Sequence, residues 1–348
     1  MAPSSSTVVS GLRFLNKYPR HKLTWKVGSI FIMSVTGLLS RAFLYGFHKV
    51  ETSRLKEFFA LLDHARKCNR GVLTVSNHVS VVDDPVIWGL LPIRKMFNPR
   101  NLRWGLGASN VCFTTSFTSK FFSMGQVLET YRFGAGPFQG SVDAAICLLS
   151  PEASRLHGTG ESFPFPEMPS SSQWVHIFPE SLVHQVYPPH ETTMKYFHWG
   201  VSRIILESEE LPYIVPMFHC GLQDVFPEDR KFLKYIPRSV VFPKFGRKRQ
   251  FLKFAFGQHL DVSLFAKERE LWKKLSVSDY DGPEARNLRS SVAATLRKSV
   301  EEVRLSLGLS EEDERLKNPQ FWANVGENSG IKIAGKYGNS VEVIEKEG

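Results

Sequence analysis

Cysteine is scarce: Cys68, Cys112, Cys147 and Cys220 are the four in 348 residues, and no two form a Cys-x-x-Cys pair. That spacing argues against a zinc scaffold or a disulfide framework and leaves the thiols as small buried hydrophobes, so no metal is expected. The chain lacks an internal repeat and any Gly-x-Ser-x-Gly nucleophile elbow, so nothing calls for a serine acyl-enzyme. It also lacks a helix-turn-helix, zinc-finger or RRM signature, which leaves nucleic-acid binding resting on charge alone. Acid is missing altogether from residues 1–50, which instead carry Arg13, Lys17, Arg20, Lys22, Lys26, Arg41 and Lys49 among several serines. An acid-free, Ser- and Arg-bearing stretch is similar to mitochondrial targeting sequence, and a basic solvated arm accounts for it equally well.

The net charge is +10, which points to anionic partners such as lipid head groups. From Val27 to Phe47 the chain is mostly apolar, interrupted by Arg41, three glycines and several hydroxyl residues. It is just long enough to cross ~30 Å of hydrocarbon, but the interruptions suit a helix lying in the interface of an anionic membrane better. The chain then divides into a basic region 1–50 with this helix, a domain over 51–309 and a polar tail over 310–348. A Pro-, Ser-, Gly- and Glu-rich stretch at about 151–173 reads as an insertion in that domain.

The most informative stretch is Asn77-His78-Val79-Ser80-Val81-Val82-Asp83-Asp84-Pro85. Gly71–Ser76 before it reads as a buried strand, and Asp84-Pro85 predicts a helix start with Asp84 as cap. A turn between strand and helix can bring His78 and Asp83 together, which five residues along one continuous helix would not. The carboxylate would then fix the imidazole tautomer and leave the other nitrogen to take a proton from a hydroxyl. A capped turn histidine is the competing reading of this stretch taken alone.

Further polar residues follow other apolar runs. Arg132 ends the predicted strand Gly125–Arg132, where it could grip a phosphate. Glu180 and Ser181 follow the predicted strand Trp174–Phe178, and Glu180 could orient a hydroxyl or hold Arg132. Pro216 lies in the predicted strand Leu211–His219. Phe113, Phe117, Phe121 and Phe122, at near-helical spacing, read as core. The basic run around Arg94, Lys95, Arg100 and Arg103, and that over Lys244–Lys253, read as surface. His176, His184, His198 and His219 have no Asp at the motif spacing and read as structural.

His-x-x-x-x-Asp, then Gly125 to Arg132, then Phe178-Pro179-Glu180-Ser181, then Ile214-Val215-Pro216 resemble, in order, the four sequence blocks of the glycerolipid acyltransferases. The resemblance covers roughly residues 25–260. Trp88-Gly89 and the Pro216–Pro227 segment, with His219, Gly221 and Asp224, look most like the branch that exchanges acyl chains between phospholipids in mitochondrial membranes. It implies an α/β acyltransferase domain with a mixed central sheet flanked by helices. His78 and Asp83 would be catalytic, and Asn77, Ser80, Arg132, Glu180 and Ser181 would bind substrate. Phospholipid and lysophospholipid substrates, phosphatidylcholine and cardiolipin among them, are implied, with no coenzyme A or other cofactor. A homo-oligomer is compatible with this reading. Ser181 departs from the family's glycine at the third block, and the second block keeps only Gly125 and Arg132. An acyl-CoA-dependent acyltransferase and a non-catalytic membrane protein are the alternatives.

Overall fold

Val72–Ser76 (β2), the β-branched run ahead of the His78 motif, is buried along its whole length. Leu73 and Val75 face one apolar cluster and Val72 the other, as the period of two in a strand dictates. The computed structural model describes residues 4–132, 134–150, 171–228, 237–241, 249–323 and 333. The predicted insertion at about 151–173 lies, through residue 170, outside the described residues.

Around β2 the sheet has the order β1-β7-β6-β2-β5-β3-β4. The other strands are β1 (His48–Ser53), β3 (Trp104–Ala108), β4 (Val127–Thr130), β5 (Trp174–Ile177), β6 (Tyr213–Cys220) and β7 (Gln250–Phe256). Neighbours are parallel except β6 and β7, so the sheet is mixed and β2, β4, β5 and β6 end on one edge. In an α/β sheet that carboxyl edge is where ligands bind. The α/β fold with a mixed, helix-flanked sheet is the one the sequence implies.

Both faces are covered. On one, α1 (Ser5–Leu15) joins the helices Gly140–Leu149, Gly200–Glu207 and Pro283–Leu305. Val8, Leu12 and Leu15 are buried there, each contributing on the order of 1.5–3 kcal/mol of transfer free energy. A Cβ on Gly11 would come within 2.7 Å of the Asp143 carbonyl, so the glycine permits this docking. On the other face lie α2 (Leu23–Phe47), α3 (Leu55–Lys67) and α4 (Asp83–Ile87).

In α2 the small and polar residues turn inward. Ser29 donates to the Met124 carbonyl at 2.6 Å, Ser34 to Met96 at 3.1 Å, and Arg41 to Gly89 and Leu91 at 3.3 and 3.2 Å. Leu23, Val27, Phe31 and Leu39 point outward and are exposed. The polar interruptions in the apolar run are thus the side facing the domain. Twenty-five residues make α2 about 37 Å long, and it is the one described helix long and apolar enough to cross a membrane.

The structure departs from several expectations. β1, β3 and β7 are strands that the sequence reading did not include. β1 is polar, β3 is Trp-Gly-Leu-Gly-Ala, and β7 carries Lys253 beside Leu252 and Phe254, both buried. The Phe-rich segment is not core: Phe117 is 77% exposed and Phe121 39%, on the helix Ser116–Met124 that packs beside α2. In the 94–103 run, Arg103 is buried against Asp84, and Lys95 pairs with Asp63 at 2.5 Å. Within the tail region, Leu316 and Trp322 are buried with Val186.

Candidate active site

The loop leaving β2 has almost every backbone group taken. The His78 N–H donates to Glu180 Oε1 at 2.8 Å, and its carbonyl accepts from the His184 N–H at 2.7 Å. The Val79 and Ser80 N–H groups donate to Asp83 Oδ2 at 2.7 and 2.8 Å, and the Val79 carbonyl accepts from Gln185 Nε2 at 2.7 Å. A buried irregular segment must satisfy its peptides in this way, and doing so fixes where its side chains point.

His78 and Asp83 meet. Nδ1 of His78 lies 2.9 Å from Asp83 Oδ2, the ring stacks on Phe178 with centroids 4.4 Å apart, and the imidazole is partly exposed to the cleft. Helix α4 begins at Asp83, one residue before the predicted cap. Val82 holds the cap position, so Asp84 lies in the first turn and pairs with Arg103 instead of capping, while the Asp83 carboxylate folds back over the loop. Asp83 is fully buried. Burial alone would push its carboxyl up, but His219 and His78 beside it hold it below the ordinary carboxylate range. An Nδ1–H donated to that anion leaves Nε2 of His78 as the basic nitrogen.

His219, near the end of β6, was missed as a site residue. Its Nε2 stands 3.2 Å from Asp83 Oδ2, and it is buried. No fixed spacing from the motif announces it, because the neighbourhood arises from β2 and β6 pairing in parallel. Pro216 itself lies inside β6 opposite Val75 and does not reach the site.

The substrate-binding candidates divide. Arg132 and Ser181 line the cleft with His78; Asn77, Ser80 and Glu180 do not. Asn77 accepts from the His219 N–H at 3.0 Å and donates to its carbonyl at 2.9 Å, clamping β6 to the loop. Ser80 is wholly buried beneath Asp83. Glu180 neither faces the cleft nor holds Arg132, contrary to expectation. Its two oxygens accept from the His78 and Lys195 N–H groups at 2.8 and 2.7 Å. Burial pushes its carboxyl up to about 8, against those donors and the charge of Arg297.

Arg132 donates to the Ser181 carbonyl at 3.0 Å and to Asn110 Oδ1 at 2.8 Å, tying the ends of β4 and β5 together at the cleft wall. Ser181 has φ of 64°, the left-handed region that favours glycine, so the chain makes the family's glycine turn with a serine in it. The cleft, about 2680 Å³, exceeds the ~300–1,000 Å³ of small-ligand sites. Its wall includes Ile32, Met33 and Gly37 of α2 together with Phe121 and Phe122. His176 is excluded as a second base: buried beside Thr74 and Phe178, it is driven down to about 3 by desolvation.

An imidazole held by a buried anion, at the edge of a cleft walled by apolar helices, suits acyl transfer to a hydroxyl. The comparisons give the family. The Acyltransferase family profile matches residues 49–219. The chain is similar to tafazzin of Saccharomyces cerevisiae, 36% identical over 94% of this chain and 92% of that protein. It is 32% identical to the protein named taffazin in Dictyostelium discoideum, over 56% of this chain and 61% of the relative. With tafazzin of Drosophila melanogaster it shares 32% over 58% of this chain and 47% of the relative.

Proposed function

The chain belongs to the tafazzin family of acyltransferases, and from that premise we propose that it moves an acyl chain from a phospholipid to a lysophospholipid without coenzyme A. Monolysocardiolipin is the acceptor and phosphatidylcholine a donor. The observation that carries the reading is the His78 Nδ1–Asp83 contact at 2.9 Å, with the ring facing a cleft walled by α2.

In this mechanism Nε2 of His78 takes the proton from the acceptor hydroxyl as its oxygen attacks the donor's ester carbonyl. The buried Asp83 anion stabilises the imidazolium formed. The tetrahedral oxyanion collapses, the ester C–O bond to the donor glycerol breaks, and His78 returns the proton to that leaving oxygen. Arg132 offers a planar cation for lipid phosphate at the cleft wall. Exposed Leu23, Val27 and Phe31 on α2, with exposed Phe117 on the helix packed against it, seat the domain on an anionic mitochondrial membrane facing the intermembrane space.

The test uses full-length protein on vesicles of acyl-labelled phosphatidylcholine and monolysocardiolipin. Label reaching cardiolipin with no coenzyme A present supports transacylation. Transfer only after acyl-CoA is added moves the protein to the acyl-CoA-dependent branch and defeats the proposal.

A further inference from the structure

Asp83 is held in an unusual way. Among the described residues its Oδ1 accepts no hydrogen bond, so the contacts that fix the anion converge on Oδ2. Three come from its own loop. A fourth approach, Nε2 of His219 at 3.2 Å and out of line for a hydrogen bond, comes from β6 and, among the described residues, is the one anchored outside the segment that carries the motif.

On its other side Ser76 Oγ lies 3.1 Å from His219 Nδ1 and donates to Asn77 Oδ1 at 3.3 Å, which also accepts the His219 N–H. A ring proton on Nε2 presents a positive edge to the carboxylate, whereas the opposite tautomer would set a nitrogen lone pair against a buried anion. The ring cannot tilt freely, because Phe254 stacks along it at 6.0 Å and Asn77 clamps its backbone on both sides. Ser76 is wholly buried and outside the cleft lining, so this Ser-His-Asp order is not a nucleophile triad.

We infer that His219 is a positioning residue for acyl transfer: its ring edge, with Nε2 3.2 Å from Oδ2, holds the Asp83 carboxylate in place, which in turn fixes the tautomer and direction of His78. The inference rests on the reading of His78 as general base. It gives a function to a histidine of the Pro216–Pro227 segment, just past the fourth sequence block.

The test compares full-length wild type, His219→Leu and His219→Gln in the coenzyme A-free vesicle assay. Leucine keeps the bulk and loses the N–H; glutamine returns an N–H near the Nε2 position. His219→Leu should lower kcat on the order of 10–100-fold with KM within about 3-fold, and His219→Gln should recover to within roughly 5-fold of wild type. Wild-type kcat in His219→Leu overturns the inference. So does an equal loss in both variants with equal falls in Tm, which would make the residue merely structural. Should His219→Leu not fold, His219→Phe, which keeps a ring without its nitrogens, takes its place, with the same fall in kcat expected and a wild-type kcat overturning the inference. His78→Ala and wild type run alongside: absent transfer by wild type, or full transfer by His78→Ala, defeats the acyl-transfer reading rather than the role of His219.

Discussion

Behind His78, the side chains of Asn77, Ser80, Asp83, Glu180 and His219 are buried and held chiefly by backbone or by one another. In front of it, Arg132 and Ser181 stand at the wall of a wide cleft. The two sets come from the same sequence blocks, so block membership alone does not say which residues touch substrate. The rear set spends its polarity on fixing a loop, and the front set borders the cleft, where Arg132 ties Ser181 to Asn110. Loss of a rear residue should therefore appear in kcat and stability, and loss of a front residue in KM.

Asp83→Asn is the sharpest change to the rear set. It removes the anion that stabilises the imidazolium, and we expect kcat to fall on the order of 10²–10⁴-fold in vesicle assays. Its pH dependence has a definite sign. The folded-state carboxyl lies below the ordinary value of 3.8, so its contribution to stability is complete above that pH and is lost as the pH falls beneath it. Acid unfolding of wild type, followed by circular dichroism, should therefore carry a proton uptake below pH 3.8 that Asp83→Asn lacks.

Glu180→Gln comes next. Glutamine keeps one carbonyl acceptor and turns an amide N–H toward a backbone donor, a loss of about 1–3 kcal/mol in stability. KM should stay within about 2-fold while kcat falls several-fold. Here the linkage has the opposite sign to that of Asp83. Burial raises the carboxyl from 4.5 to about 8, so the stability it contributes is fully present below pH 4.5 and is lost as the pH rises through 8. Wild type should lose Tm relative to Glu180→Gln across that window, and a constant difference would contradict the burial argument.

Arg132→Ala probes the front set. KM for phospholipid should rise about 10-fold or more, with kcat changed less and vesicle binding kept. A fall in kcat at constant KM would move Arg132 to the rear set.

Much of this division was invisible in the sequence. His78, Asp83 and the strands β2, β4, β5 and β6 were legible because short apolar runs bounded by polar or turn residues report strand ends directly. The polar β1, the glycine-rich β3 and the lysine-bearing β7 were not, because sheet pairing rather than local pattern makes them strands. Glu180 and Arg132 looked alike as charged residues after strands. Only the path of the loop decides that one carboxylate turns back to the His78 N–H while the guanidinium reaches the cleft. His219 was hidden because its partner lies 136 positions away, across the β2–β6 pairing. Phe117 and Phe121 carried a core-like pattern although their side chains point outward.

Ser181→Gly should have the smallest effect. It replaces a residue at φ of 64° with the one that adopts this region at no steric cost, and should raise stability by about 1 kcal/mol in thermal denaturation. A fall in Tm would mean that the hydroxyl contributes more than the turn costs.

The most direct test of the account is His78→Ala, assayed for label transfer from phosphatidylcholine to monolysocardiolipin without coenzyme A and, on the same vesicles, for co-sedimentation. The account predicts transfer reduced by about 10³-fold or more with membrane binding unchanged, because the base is removed and α2 is untouched. Transfer retained at a substantial fraction of wild type would contradict it, since His78 is the cleft histidine that Asp83 holds.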